Sequence, residues 1–228
     1  PVFHDDQHGT AIVVLAALRN ALKFVKKDLS SVKIVLSGVG AAGNAIARLL
    51  TLSGAKNIIG FNHHGVIHNE MKSEDPMQQW FIDNSNPHSF IGTMPEALVG
   101  ADVFIGVSAP NILKEADIAT MAKGSIIFAL ANPDPEVDPV VARKYATVVA
   151  TGRSDQPNQI NNVLAFPGIF RGLLDANAHK ITDKLLVAAA EAIADCVSPE
   201  QLNASFIVPS VFDPNVTKAV ATAVKKSV

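Results

Sequence analysis

The apolar run Lys33-Ile34-Val35-Leu36-Ser37 leads directly into Gly38-Val39-Gly40-Ala41-Ala42-Gly43, and the helical pattern Asn44-Ala45-Ile46-Ala47 follows at once. A β-type run, a Gly-x-Gly-x-x-Gly turn and a helix in immediate succession leave the chain little choice but a tight βα unit. In that frame Gly38 permits the strand-to-helix turn, Gly40 lets a pyrophosphate approach the backbone, and Gly43 lets the helix pack closely. The pyrophosphate would sit on unpaired N–H groups at the positive end of the helix. The same triplet also occurs in glycine-rich turns that bind nothing, so the context around it matters.

That context is an alternation of short β-branched runs with helical segments, the pattern of βαβ units on a parallel sheet. The expected strands are Val32–Ser37, Asn57–Phe61, Val103–Val107, Ser125–Leu130 and Thr147–Thr151, all near-continuous apolar runs as a doubly covered sheet requires. Helices are expected near Ala42–Leu52, Pro95–Val99, Lys114–Met121 and Pro139–Lys144, with Met71–Asn86 an irregular excursion or short helix over a sheet edge. Thr10–Val25 has apolar residues at helical spacing. Toward the C-terminus, Ser198-Pro199-Glu200-Gln201 reads as a capping box and Asp213-Pro214 as a second helix start before Val216–Val224. The fold class expected is α/β: one Rossmann-type parallel sheet, helices on both faces, and extra N- and C-terminal helices.

The 228 residues are 48% hydrophobic and 18% charged, which supplies a large core and argues against disorder. A net charge of −2 gives no basic field for nucleic acid. The most apolar stretch, Thr10 to Leu18, is short, so no membrane span is expected. Cys196 is the only cysteine, which excludes an internal disulfide and a cysteine-based zinc site; it reads as a small core or helix-end residue. With no signal peptide visible, a cytoplasmic location is the default expectation.

Three further segments bear chemistry. In Phe3-His4-Asp5-Asp6-Gln7-His8-Gly9-Thr10, adjacent carboxylates at a helix start suit a hard cation such as Mg²⁺ or Mn²⁺, and equally suit the helix dipole alone. His4 and His8 are open to two roles, metal ligands or hydrogen-bonding spacers. Asn132, in Ala131-Asn132-Pro133, falls at the carboxyl end of an expected strand, where open α/β sheets hold ligands. Its amide both donates and accepts, which suits a carboxylate or a carboxamide, or simply an Asn-Pro turn. The dense polar loop Gly152–Asn162 follows the last strand and is either a site loop or a solvated one capped by Asn162.

Taken together, FHDDQHGT (3–10), GVGAAG (38–43), ADVFIGVSAP (101–110), IIFALANP (126–133) and TGRSDQPNQINNVLAFPGIFRG (151–172) resemble the malic enzymes, the shorter bacterial type most closely. The resemblance implies oxidative decarboxylation of malate to pyruvate with NAD or NADP and a divalent metal. It implies Asp6 as a metal ligand and Asp5 as support for the general base. It further implies Gly38, Gly40, Ala41, Ala42 and Gly43 along the pyrophosphate, and Asn132, Asn161 and Asn162 near malate or the nicotinamide. A homodimer of the full-length enzyme is expected on the same ground.

Two departures qualify that resemblance. The family's catalytic Tyr and Lys, and a Glu-Asp pair of metal ligands, lie upstream of the point where these residues begin. Tyr145 is the only tyrosine and stands in a different context, so residues 1–228 are expected to form the NAD(P)-binding domain without the catalytic N-terminal domain, inactive alone. After the second strand, Asn62 replaces the acidic residue that would bond the adenosine ribose, with His63 and His64 beside it. NAD is the first expectation, NADP the second. A malolactic-type enzyme and a non-catalytic nucleotide-sensing Rossmann module are the competing readings.

Overall fold

A computed structural model of the chain describes residues 2–228, leaving Pro1 outside the described residues. In chain order the elements are a π-helical turn Asp5–Gly9, α1 Thr10–Val25, β1 Lys33–Ser37, α2 Ala41–Leu52, β2 Asn57–Asn62 and β3 Gly65–Val66. There follow α3 Pro76–Asn84, α4 Met94–Leu98, β4 Val103–Gly106, α5 Glu115–Ile118, β5 Ile126–Ala129, α6 Pro139–Ala142 and β6 Val148–Thr151. A 3₁₀ turn Asn162–Leu164 then precedes α7 Phe166–Asp175, α8 Asp183–Asp195 and α9 Pro214–Lys226.

The strands form one six-stranded sheet in the order β3-β2-β1-β4-β5-β6. All pairings are parallel except β2 with the short β3. Order reverses between β1 and β4, which places a crevice at their carboxyl ends. Alternate residues feed two cores: Ile34, Leu36, Ile105 and Phe128 point toward α1, α2 and α8, while Val35, Phe104 and Ile127 point toward α4, α5 and α6. Both faces are therefore covered, and the sheet class expected from the sequence is the one observed.

The expected strands are clipped by a residue where their ends turn into loops. Asn57–Phe61 instead lengthens to Asn62, which pairs with Gly65. Residues 76–84 of the expected excursion are helical, with Asp75 accepting from the Met77 N–H at 2.9 Å, and Phe81 is buried against Gly60. The capping box at Ser198 starts no helix. Its Ser198 N–H does donate to the Gln201 side chain at 3.2 Å, but the chain makes a single turn. Long-range bonds then capture the backbone beyond that turn: Asn158 takes the Ala204 carbonyl and the Ile207 N–H, and Asn20 takes the Ile207 carbonyl.

The short apolar stretch at Thr10 also needs correcting. The continuous helix Asp5–Val25 is long and apolar enough to cross a membrane by length and composition, yet 67% of its most apolar window is buried inside the fold. α1 is the central helix of the larger core.

Candidate functional site

The turn after β1 has the geometry its glycines promised. Gly38 adopts φ +95°, and a β-carbon there would lie 2.6 Å from the Val107 carbonyl oxygen. Gly43 packs against the backbone of Gly38. Gly40 is the N-cap of α2, has open space around it, and leaves the first N–H groups of the helix without a side-chain cap. Ala41 is exposed and Ala42 half-buried beside it. Uncapped N–H groups facing clear space fit a dinucleotide pyrophosphate.

Adjoining this turn is a polar pocket of about 470 Å³, lined by Asp6, Thr10, Ala42, Val107, Ser108, Leu130, Ala131, Asn132, Gly152, Ile160, Asn161 and Asn162. It lies outside the carboxyl ends of β4, β5 and β6. The structure thus brings together Asp6, Ala42, Asn132, Asn161 and Asn162, which are far apart in sequence. Asn132 is exposed at the end of β5, beside Gly152. The loop after β6 folds back through the Ile160 N–H, which donates to the Thr151 carbonyl at 2.8 Å. Asn161, not Asn162, caps the 3₁₀ turn, accepting from the Val163 N–H at 3.0 Å. A second cleft, lined by Leu49, Met77, Trp80 and Leu186, is more apolar and contains no strand end.

Asp5 lies just behind the pocket. Gly9 has no β-carbon, and both Asp5 and Asn162 close onto that space. The Asp5 Oδ1 is buried without a hydrogen-bond partner, and burial together with the neighbouring Asp6 charge pushes its carboxyl above the usual aspartate value. His8 Nδ1 accepts from the His4 N–H at 3.1 Å, the spacer arrangement rather than a ligand one. Burial lowers the His8 pKa. Among the described residues no group of three or more His, Cys, Asp or Glu side chains forms a complete cation site. An exposed Asp6 in a pocket of amide oxygens, with an orphaned Asp5 oxygen behind, fits part of an oxygen set for a hard divalent ion.

Asn62 lies outside this pocket, at the end of β2. Its Oδ1 accepts from the His64 N–H at 2.8 Å, and the His63 and His64 rings lie tilted at 45° with centroids 3.7 Å apart. Tyr145 is remote as well, its hydroxyl donating to Glu115 at 2.9 Å. Thr10 and Gly152 fall within segments marked in the sequence but were given no role there, and Ser108 was not marked as a site residue. Their place just past strand ends, or close behind the Asp pair, was the available signal.

With this geometry in place, the similarities of the chain are telling. Residues 7–228 match the family described as the NAD-binding domain of malic enzyme. The chain is 54% identical to the NAD-dependent malic enzyme of Geobacillus stearothermophilus over 98% of its length, covering 47% of that protein. It is 48% identical to the bifunctional malic/malolactic enzyme of Bacillus subtilis over its whole length, covering 56% of that relative. A crystal structure of the NAD-dependent malic enzyme of Thermotoga maritima superimposes with a TM-score of 0.94 at 45% identity, over all of this chain and 60% of that one. The chain therefore spans about half the length of the relatives it matches. Its glycine turn, its doubly covered sheet and its matched residues together make it a member of the malic enzyme NAD-binding domain family.

Proposed function

We propose that this chain forms the cofactor half of an enzyme that oxidises malate with NAD and decarboxylates it to pyruvate and CO₂. The observation that carries this reading is the convergence of Asp6, Asn132, Asn161 and Asn162 on one polar pocket beside the open amino end of α2. Gly38, Gly40, Ala41, Ala42 and Gly43 hold the pyrophosphate on backbone N–H groups. Asn132 orients the nicotinamide carboxamide or a malate carboxylate. Asn162, and the amide nitrogen of Asn161, serve malate in the same pocket.

Asp6 would give one oxygen to Mg²⁺ or Mn²⁺, and Asp5 supports the general base from the neighbouring position. When bound, such an ion stabilises negative charge developing on the malate oxygen. The general base, the acid and the remaining metal ligands we assign to residues outside these 228, in a cytoplasmic homodimer. NAD is placed before NADP, since the free amide nitrogen of Asn62 can donate to a ribose hydroxyl, although this side chain does not repel a 2′-phosphate.

The test is the complete enzyme with malate, Mn²⁺ and NAD, followed at the absorbance of reduced cofactor. Malate-dependent NADH and pyruvate support the reading; their absence contradicts it. A malolactic outcome is the second reading, favoured by the likeness to the bifunctional Bacillus subtilis enzyme. Lactate formed with no net NADH would select it.

A further inference from the structure

Glu136 is the one carboxylate among the described residues that is fully buried, at 0% exposure. No cation among the described residues pairs with it. Its partners are backbone N–H groups instead: Ser108 donates to Oε1 at 2.9 Å and Ala131 donates to Oε2 at 3.0 Å. Gly106 makes the room, since a β-carbon there would fall 2.7 Å from the Glu136 Cγ and closer still to the carboxyl carbon. A buried, unpaired carboxylate is costly unless its lone pairs are well used.

The position of these bonds matters more than their number. The β4–β5 ladder ends with the Leu130 N–H donating to the Gly106 carbonyl at 2.9 Å. Beyond that point the two strand ends part and the pocket opens between them. Glu136 bridges the gap, one oxygen on each side. Ser108 is tied in turn to the end of β1, its Oγ lying 2.8 Å from the Oγ of buried Ser37. Glu136 thus joins the ends of β4 and β5, and the Ser37–Ser108 hydroxyl pair ties the end of β1 to them.

We infer that Glu136 is a positioning residue for the nicotinamide end of the site, fixing the spacing between Ser108 and the Ala131-Asn132 pair. The inference rests on the reading that the pocket takes a dinucleotide. Glutamine at this position has the same shape but turns one acceptor into a donor, so it faces one of the two N–H groups with another. The adenosine and pyrophosphate contacts are assigned to β2 and the amino end of α2, whereas the two Glu136 bonds are made to Ser108 and Ala131 past the ends of β4 and β5.

The experiment is calorimetric titration of the 228-residue chain with NADH and with ADP-ribose, which lacks only the nicotinamide. For Glu136→Gln, NADH affinity should fall about tenfold, the scale of about one hydrogen bond to the nicotinamide end lost when Ser108 and Asn132 are no longer held in place. ADP-ribose affinity should stay within about twofold, because its contacts are separate. Equal loss for both ligands, or no loss for either, overturns the inference, since a merely structural role moves the two together. Should Glu136→Gln not fold, Glu136→Asp keeps both acceptors on a side chain too short to reach the Ser108 and Ala131 N–H groups together, and should show the same split; parallel behaviour there overturns it equally. A wild-type chain that binds neither ligand contradicts the dinucleotide reading itself, and this inference with it.

Discussion

Gly43 lies so close to Gly38 that a β-carbon on it would fall 2.9 Å from the Gly38 carbonyl carbon and nearer still to the oxygen. The third glycine of the turn is therefore a packing requirement, while Gly40 between them faces open space. Gly43→Ala should destabilise the fold by roughly 1–3 kcal/mol through overpacking. Urea unfolding with an unchanged midpoint would contradict this.

Asp5 carries a prediction of opposite sign. Burial and the Asp6 charge raise its carboxyl above 3.8, so the native state holds its proton more tightly than the unfolded chain does. Stability contributed at this site therefore falls as pH rises from the ordinary aspartate range through the raised value. In chelator-containing buffer, Asp5→Asn should be more stable than the wild type at neutral pH, and its advantage should shrink toward about pH 4, near the ordinary aspartate value. Thermal melts across that range decide it, and an advantage that grows on acidification would refute the assignment.

Asp6 is exposed in the pocket and unencumbered by the turn that holds Asp5. In the complete enzyme, Asp6→Ala should lower Mn²⁺-dependent turnover by about a hundredfold or more, as loss of a ligand or its orienting partner does. Near-normal turnover at saturating Mn²⁺ would show that Asp6 is no ligand.

Tyr145 donates to Glu115 on the α5 and α6 side of the molecule, away from the pocket. Tyr145→Phe should leave turnover of the complete enzyme within about twofold, as expected for an exposed residue outside the site. A large fall in kcat would mean that this phenol reaches the substrate after all.

Local patterns made the βα unit and α1 readable almost to the residue, because apolar periodicity and glycine placement there agree with the final packing. The same cues misread the stretch after Ser198, where Asn158 and Asn20, distant in sequence, capture the backbone. Gly168 and Gly172 look like helix breakers yet lie inside α7. They let α9 approach, since β-carbons there would come within 2.5 Å and 2.6 Å of the β-carbons of Val220 and Val224. Four residues of the one pocket were legible, Asn132 by its place at a strand end, and Asp6, Asn161 and Asn162 by the family resemblance of their segments. Glu136 was not: nothing in Pro133-Asp134-Pro135-Glu136 distinguishes a buried bridging carboxylate from a solvated one.

The amino end of α2 is the place proposed for the pyrophosphate of a nicotinamide dinucleotide. Gly40 tests this assignment, because its φ is negative and no protein atom lies within 4 Å of where a β-carbon would stand. Gly40→Val should still fold, at a cost of about 1 kcal/mol for a poorer N-cap, and would place its methyl groups in the space proposed for the pyrophosphate. Titration of the chain with NADH should show an affinity at least about fivefold weaker in the variant, equivalent to roughly 1 kcal/mol or more. Equal affinity in the variant and the wild type would contradict the account.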